Sequence, residues 1–165
     1  MLIKTISLFP LNATLKEFMI LSPNFNLKEM TQSQTALRNN INNEPNTEQI
    51  ENLKQLCKNI LQPLRDYYEL PIKITSGFRS EKLAALIGSK STSQHCKGEA
   101  ADFEIPGVDN KEVASHIKNN FDYDQLILEY YDKNDINSGW IHCSFTPNGR
   151  KESLTKNTVG YYQWK

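Results

Sequence analysis

The sequence has no excess of charge of either sign and no long apolar run. Nineteen basic side chains balance nineteen acidic ones. This balance argues against a polyanionic partner, because nucleic-acid-binding domains carry a basic excess. No stretch approaches the ~20 apolar residues that span a bilayer, and Pro10 and Asn12 interrupt the N-terminal apolar residues that a signal peptide would need. We therefore expect a soluble, monomeric protein that is made in the cytoplasm and has no stable membrane association.

Cysteine is scarce, and its number is odd. Three cysteines cannot all pair within one chain, which favours a reducing compartment over a disulfide framework. A chain of 165 residues does not need disulfides, because it can bury a sufficient apolar core without them. There is no internal repeat, and we expect one ordinary domain.

Apolar periodicity predicts helices that pack on a sheet. Apolar residues from Ile50 to Leu64 recur at helical spacing after Thr47, which is the expected N-cap. Pro63 falls inside this pattern and is expected to kink the helix near its end. Alternating apolar residues predict strands, and the last two runs, at 123–130 and 140–145, are typical of an antiparallel pair.

The predicted fold class is α+β, with helices packed on a small, mostly antiparallel sheet. We predict an N-terminal arm at residues 1–24 and a single domain at residues 25–146. Residues 147–165 are predicted to form a C-terminal tail that packs on or near this domain.

Side chains that bind metals well lie in two short segments. His95 and Asp102 belong to S-Q-H-C-K-G-E-A-A-D, and His142 belongs to W-I-H-C-S. Two imidazoles and one carboxylate suit a single catalytic zinc ion with a fourth position open. Cys143 would face away from His142 on a strand, and His116 lies in neither segment, so neither is an expected ligand. From the residues alone, a structural hydrogen-bonded pair of His95 and Asp102 stays open.

The pattern S-x-H-x-x-G-x-A-x-D at residues 93–102, followed by W-x-H at 140–142, resembles the zinc D-alanyl-D-alanine carboxypeptidase family. That family includes the phage L-alanyl-D-glutamate endolysins and the vancomycin-resistance D,D-dipeptidases. The segment S-G-F-R-S at residues 76–80 is similar to the upstream motif of the family. Residues 33–36 and 61–65 are similar to N-terminal features of the phage-type branch, so the resemblance covers roughly residues 25–146.

The resemblance implies a role for each motif residue. His95, Asp102 and His142 would bind one zinc ion. Arg79 would lie near the substrate, where its guanidinium group stabilises a carboxylate or the developing oxyanion. Ser93 and Gln94 immediately precede the first ligand, and we expect them to hydrogen-bond the substrate backbone. We also expect small residues such as Gly98 where the backbone passes close to the ion.

The general base of the predicted site does not lie at its usual family position. Many members of the family place a carboxylate three residues before the second histidine, and that position is Gly139 here. Glu129 is the nearest candidate, since cross-strand neighbours lie ~5 Å apart and a glutamate at this place is usual in the phage-type branch. Asp124 and Asp132 are weaker candidates, and an ordinary exposed strand glutamate is the alternative interpretation of Glu129.

The function that the resemblance implies is hydrolysis of peptide bonds in peptidoglycan stem peptides. Zinc would activate a water molecule and Glu129 would take its proton, in either a D-Ala-D-Ala carboxypeptidase or an endolysin-type endopeptidase reaction. Two alternatives stay open: a non-catalytic, zinc-containing module that binds cell-wall peptide, and an amidase on the same scaffold. The expected place of action is the cell wall, where the protein would act as a phage lysis enzyme or a virion-associated enzyme.

Overall fold

The computed structural model describes residues 18–164, so most of the predicted N-terminal arm lies outside the described residues. The strands in chain order are β1 (Ile20–Ser22), β2 (Phe25–Asn26), β3 (Lys73–Ser76), β4 (Ala100–Glu104), β5 (Gln125–Glu129), β6 (Trp140–Ser144), β7 (Glu152–Lys156) and β8 (Tyr161–Gln163). The helices are α1 (Leu27–Thr31), α2 (Gln34–Arg38), α3 (Thr47–Leu56), a π-helical segment (Cys57–Leu61), α4 (Gln62–Tyr68), α5 (Glu81–Leu86), α6 (Gln94–Lys97) and α7 (Asn110–Asn120).

The larger sheet has six strands in the order β3-β4-β6-β5-β7-β8. β5 and β7 run parallel, whereas every other neighbouring pair of this sheet is antiparallel. β1 and β2 form a small antiparallel sheet of their own. The predicted α+β class with a mostly antiparallel sheet is confirmed, and so is the antiparallel pairing of β5 with β6.

One face of the central strands enters the core. Phe103, Ile141 and Cys143 are fully buried, so Cys143 points away from His142 as the strand alternation predicts. The predicted apolar stripe of the long helix packs into the same core through Ile50, Leu53, Leu56, Cys57, Ile60, Leu61 and Leu64. The opposite face of β4, β5 and β6 is left to carry the polar side chains of the site.

The long helix differs from its prediction at both ends. Asn46, not Thr47, is the N-cap, because Asn46 and Gln49 form a reciprocal capping box between side chain and backbone. The sequence predicts a kink at Pro63. In the structure, a π-helical segment precedes this proline and ends directly before α4. Proline has no N–H and clashes with the carbonyl of the preceding turn, so the helix widens there. Among the described residues, no helix has the length and apolarity to cross a bilayer.

The sheet continues beyond residue 146, where the sequence predicts a tail. β7 pairs with β5 from Gln125↔Glu152 to Glu129↔Lys156, and β8 pairs with β7. These two strands therefore belong to the six-stranded sheet, and they bring Lys156 and Tyr161 to the face that carries the site. The division of the chain into arm, domain and tail stays a prediction.

Candidate metal centre

Three separate elements bring the predicted zinc ligands together. Asp102 on β4 and His142 on β6 are direct cross-strand partners, so their side chains share one face of the sheet. His95 comes from α6, a single helical turn that Ser93 caps and that ends at Gly98 in the left-handed conformation. All three ligand residues are buried.

The ligand atoms are spaced for one small cation. His95 Nε2 lies 3.2 Å from His142 Nδ1 and 3.2 Å from Asp102 Oδ1, and His142 Nδ1 lies 2.9 Å from the same oxygen. Tetrahedral zinc with bonds of ~2.0–2.1 Å places its ligand atoms roughly 3.3 Å apart. In residues 18–164, these three side chains form the group able to hold a metal ion. The donor set and its spacing fit zinc.

The surroundings put His95 and Asp102 in the protonation states that a metal requires. Burial lowers the pKa of His95 and outweighs the attraction of Asp102, so the imidazole stays neutral. His95 Nδ1 donates to the carbonyl of Gly77 at 2.7 Å, which leaves the lone pair on Nε2 facing the centre. Burial raises the pKa of Asp102, but its contacts with His95 and His142 outweigh burial and hold the pKa below its ordinary value. The carboxyl group is therefore ionised.

Arg79 holds the other side of the Asp102 carboxylate. Its Nη2 donates to Asp102 Oδ2 at 2.6 Å, and its Nε donates to Ser76 Oγ at 2.8 Å. Asn43 clamps the loop that carries Arg79, because its amide donates to Phe78 O and its Oδ1 accepts from the N–H of Ser80. The S-G-F-R-S segment therefore supports two ligands, through the Gly77 carbonyl and the Arg79 guanidinium group, as outer partners do in metal sites.

A family model described as Peptidase M15 matches residues 23–144, which is most of the chain and includes all three ligands. The chain belongs to the M15 peptidase family. Members of this family are D-Ala-D-Ala carboxypeptidase-type zinc peptidases, so the chain is a zinc-dependent metallopeptidase by family, with peptidoglycan peptides as its substrate class. A comparison with curated proteins found no match.

The M15 centre lies in an open cleft of about 850 Å³. Glu129 lines this cleft together with the ligands and is 7% exposed, which excludes the alternative of an ordinary exposed strand glutamate. The strand register pairs Glu129 with Trp140 and pairs His142 with Ile127. Glu129 is therefore a diagonal neighbour of His142 on the same face, one step farther than the directly adjacent position expected from the sequence.

The two weaker base candidates lie elsewhere. Asp124 accepts hydrogen bonds from Arg150 and from Gln94, so both of its carboxylate oxygens are occupied. The hydrogen bond from Arg150 outweighs burial and lowers the pKa of Asp124 from 3.8 to about 2. The Asp132 carboxylate accepts hydrogen bonds from the backbone and side-chain amides of Asn134 in an exposed loop. Of the three acidic candidates, Glu129 alone lines the cleft.

The remaining predicted site residues line the cleft, and their side chains also have partners within the protein. Ser93 caps α6 through the N–H of His95, and Gln94 donates to Asp124 and Glu99. Arg79 lines the cleft while it holds Asp102. Substrate contacts of Ser93, Gln94 and Arg79 stay predictions.

Two glycines at the site are explained by backbone crowding. A side chain on Gly98 would collide with the carbonyl of Gln49, so the backbone at Gly98 lies close to helix α3. A side chain on Gly139 would collide with the backbone of Glu129 and Tyr130. The family position three residues before the second histidine therefore has no room for a carboxylate in this chain.

The sequence gives no sign of Lys156 as a site residue. Its Nζ lies 2.8 Å from Glu129 Oε2, and 27 residues separate the two along the chain. The matched region ends at residue 144, before β7 begins.

His116, by contrast, stacks on Tyr67 with ring centroids 3.9 Å apart and takes no part in the cluster, in agreement with its expected absence from the ligand set.

Proposed function

We propose that this chain is a zinc peptidase that cleaves peptide bonds in peptidoglycan stem peptides, with Glu129 as the general base. The observation that carries the proposal is the position of Glu129 in the cleft of the His95, Asp102 and His142 cluster. A buried carboxylate beside an open metal site is the arrangement that hydrolysis by water requires. We further propose that the protein acts at the cell wall, as a phage lysis enzyme or a virion-associated enzyme.

The residues of the cleft divide the chemistry among them. Zinc, when bound by His95, Asp102 and His142, supplies a Lewis acid that lowers the pKa of water towards ~7 and polarises the scissile carbonyl. Glu129 accepts the proton of the attacking water and returns it to the departing amine. Arg79 keeps Asp102 in place through Nη2, and its positive charge also favours a substrate carboxylate or the developing oxyanion in the cleft.

Replacement of the proposed base tests this assignment. We expect Glu129→Gln to lower kcat by ~10²-fold or more, the usual contribution of a general base, while zinc content and folding are retained. Glu104→Gln is the matched control, because Glu104 is also a strand glutamate paired with a lysine, Lys73, outside the catalytic cleft. Unchanged turnover of stem peptides by Glu129→Gln would remove Glu129 from the base role.

The bond that is cleaved distinguishes this proposal from its alternatives. Zinc-dependent clearing of cell-wall material in a zymogram, abolished by a chelator, is expected of an endopeptidase or an amidase and not of a binding module, whereas a carboxypeptidase is detected by zinc-dependent release of D-alanine. Mass spectrometry of the released fragments then identifies the reaction. Free D-alanine indicates a carboxypeptidase, internal stem-peptide fragments indicate an endopeptidase, and intact stem peptides released from the sugar indicate an amidase.

A further inference from the structure

The base candidate has a direct partner on the strand that follows the matched region. Glu129 on β5 and Lys156 on β7 are parallel cross-strand partners, and Lys156 Nζ lies 2.8 Å from Glu129 Oε2. The side chains are 9% and 24% exposed, respectively. This pair is therefore largely shielded from water, unlike the surface ion pairs whose contribution is small.

Lys156 is itself held in place from two sides. Its Nζ lies 5.4 Å from the ring centroid of Tyr130 and 5.1 Å from that of Tyr161, both within cation–π range. Burial lowers the pKa of Lys156, but hydrogen bonds to Glu129 and Tyr161 outweigh burial and raise it above its ordinary value. The ammonium group is therefore charged and has a fixed position beside the carboxylate.

We propose that Lys156 is a positioning residue that holds the Glu129 carboxylate in its working orientation. The inference rests on the proposed function, because the role of Glu129 as base belongs to it. Lys156 engages Oε2, which leaves Oε1 as the oxygen that takes the proton from water. A buried carboxylate without this partner would lose its fixed rotamer and would have no group to compensate its charge. The β7–β8 hairpin is then a working part of the catalytic cleft.

Removal of the ammonium group is the direct test. We expect Lys156→Met to lower kcat on a stem peptide by ~10–100-fold, the cost of a misplaced catalytic group, with KM and zinc content unchanged. Lys156→Arg keeps a cation that reaches Glu129 and should restore much of kcat. The matched control is Lys73→Met, which removes a cross-strand lysine–glutamate pair of the same sheet, the 2.6 Å pair of Lys73 with Glu104.

A double-variant cycle separates positioning from a general effect on the fold. If Lys156 acts through Glu129, adding Lys156→Met to Glu129→Gln causes no further loss of kcat. Multiplied losses in the double variant, or a wild-type kcat in Lys156→Met, would overturn the inference. Should methionine at this position prevent folding, Lys156→Ala replaces it with the same expected fall, because alanine also has no group that can hold the Glu129 carboxylate.

Failure of the proposed function gives a different result. A wild-type protein that is inactive with zinc on stem peptides, or a fully active Glu129→Gln variant, contradicts the proposed function. An active wild type and an inactive Glu129→Gln variant, combined with an unimpaired Lys156→Met variant, contradict only the role of Lys156.

Discussion

Arg79 and Asp102 are joined through the carboxylate oxygen that the histidines do not approach. Arg79 Nη2 lies 2.6 Å from Oδ2, whereas His142 Nδ1 lies 2.9 Å from Oδ1. The guanidinium group therefore fixes the direction in which the ligand oxygen points. Arg79 also keeps a positive charge next to a buried carboxylate, so it stabilises the ionised form that a metal requires.

Loss of Arg79 should weaken metal binding before any substrate is present. We expect Arg79→Ala to lower zinc affinity by ~10–100-fold, the usual effect of removing an outer partner of a metal ligand. Competition with a chromophoric chelator measures this affinity in the absence of peptide. Arg38→Ala, at the end of α2, is the control. Unaltered zinc affinity together with a raised KM would instead favour a role for Arg79 in substrate binding alone.

The ligand histidines should differ sharply from the third histidine in zinc content. His95→Ala and His142→Ala each remove one of three protein ligands, and we expect purified protein to lose its stoichiometric zinc. His116→Ala removes an imidazole that stacks on Tyr67, and the protein should keep one zinc ion per chain. Elemental analysis after dialysis checks this. Equal zinc content in all three variants would contradict the assigned ligand set.

The ion pair of Asp124 with Arg150 should make the free energy of unfolding depend on pH in the acidic range. The pKa of Asp124 is lowered to about 2 in the fold, whereas an unfolded aspartate titrates near ~3.9. The ionised form therefore stabilises the fold above pH ~4, and this stabilisation is lost as pH falls towards 2. We expect Asp124→Asn to be less stable than the wild type at neutral pH and to approach it in acid.

Asp122→Asn is the matched control for this pH dependence. Asp122 pairs with Lys151 but its side chain is 86% exposed, so its pair should contribute little. Urea unfolding at a series of pH values from 2 to 7 measures the difference. A gap between wild type and Asp124→Asn that does not change with pH would show that the carboxylate charge is not the cause.

The grouping of His95, Asp102 and His142 was predictable from the resemblance of the short motifs to a zinc peptidase family, because the residue types alone left a structural pair of His95 and Asp102 open. His95, Asp102 and His142 need only a turn and two adjacent strands to meet, and the strand alternation correctly assigned Cys143 to the core. The contact of Arg79 with Asp102 was not predictable, because it depends on how the loop after β3 packs.

Long-range pairing explains the other differences. Glu129 and Lys156 meet because residues 145–151 carry the chain from β6 past β5 to β7, which pairs in parallel with β5, and no local pattern encodes that choice. The N-cap was misassigned for a different reason. Asn46 and Thr47 are both good N-caps, but only Asn46 has a glutamine three residues later, Gln49, to complete the capping box.

Gly139 should be far less tolerant of substitution than a glycine with the same backbone conformation in open space. Gly139 has φ +66° and its missing side chain would collide with Glu129 and Tyr130, whereas Gly88 has φ +74° and no atom within 4 Å of such a side chain. Gly88→Ala therefore measures the left-handed conformation alone, which costs ~1–2 kcal/mol. We expect Gly139→Ala to lower the free energy of unfolding by at least ~3 kcal/mol, because the collision adds to that strain.

The free energies of unfolding of both alanine variants are measured in urea, and the denaturant dependence of each (its m-value) is compared. The backbone that meets Gly139 is that of the proposed base, so relief of the collision would also displace Glu129. Gly139→Ala should therefore lose kcat even under conditions where it stays folded, while Gly88→Ala keeps it. Equal losses of stability in the two variants would mean that the loop before β6 moves to accommodate a side chain, and would contradict the crowding at position 139.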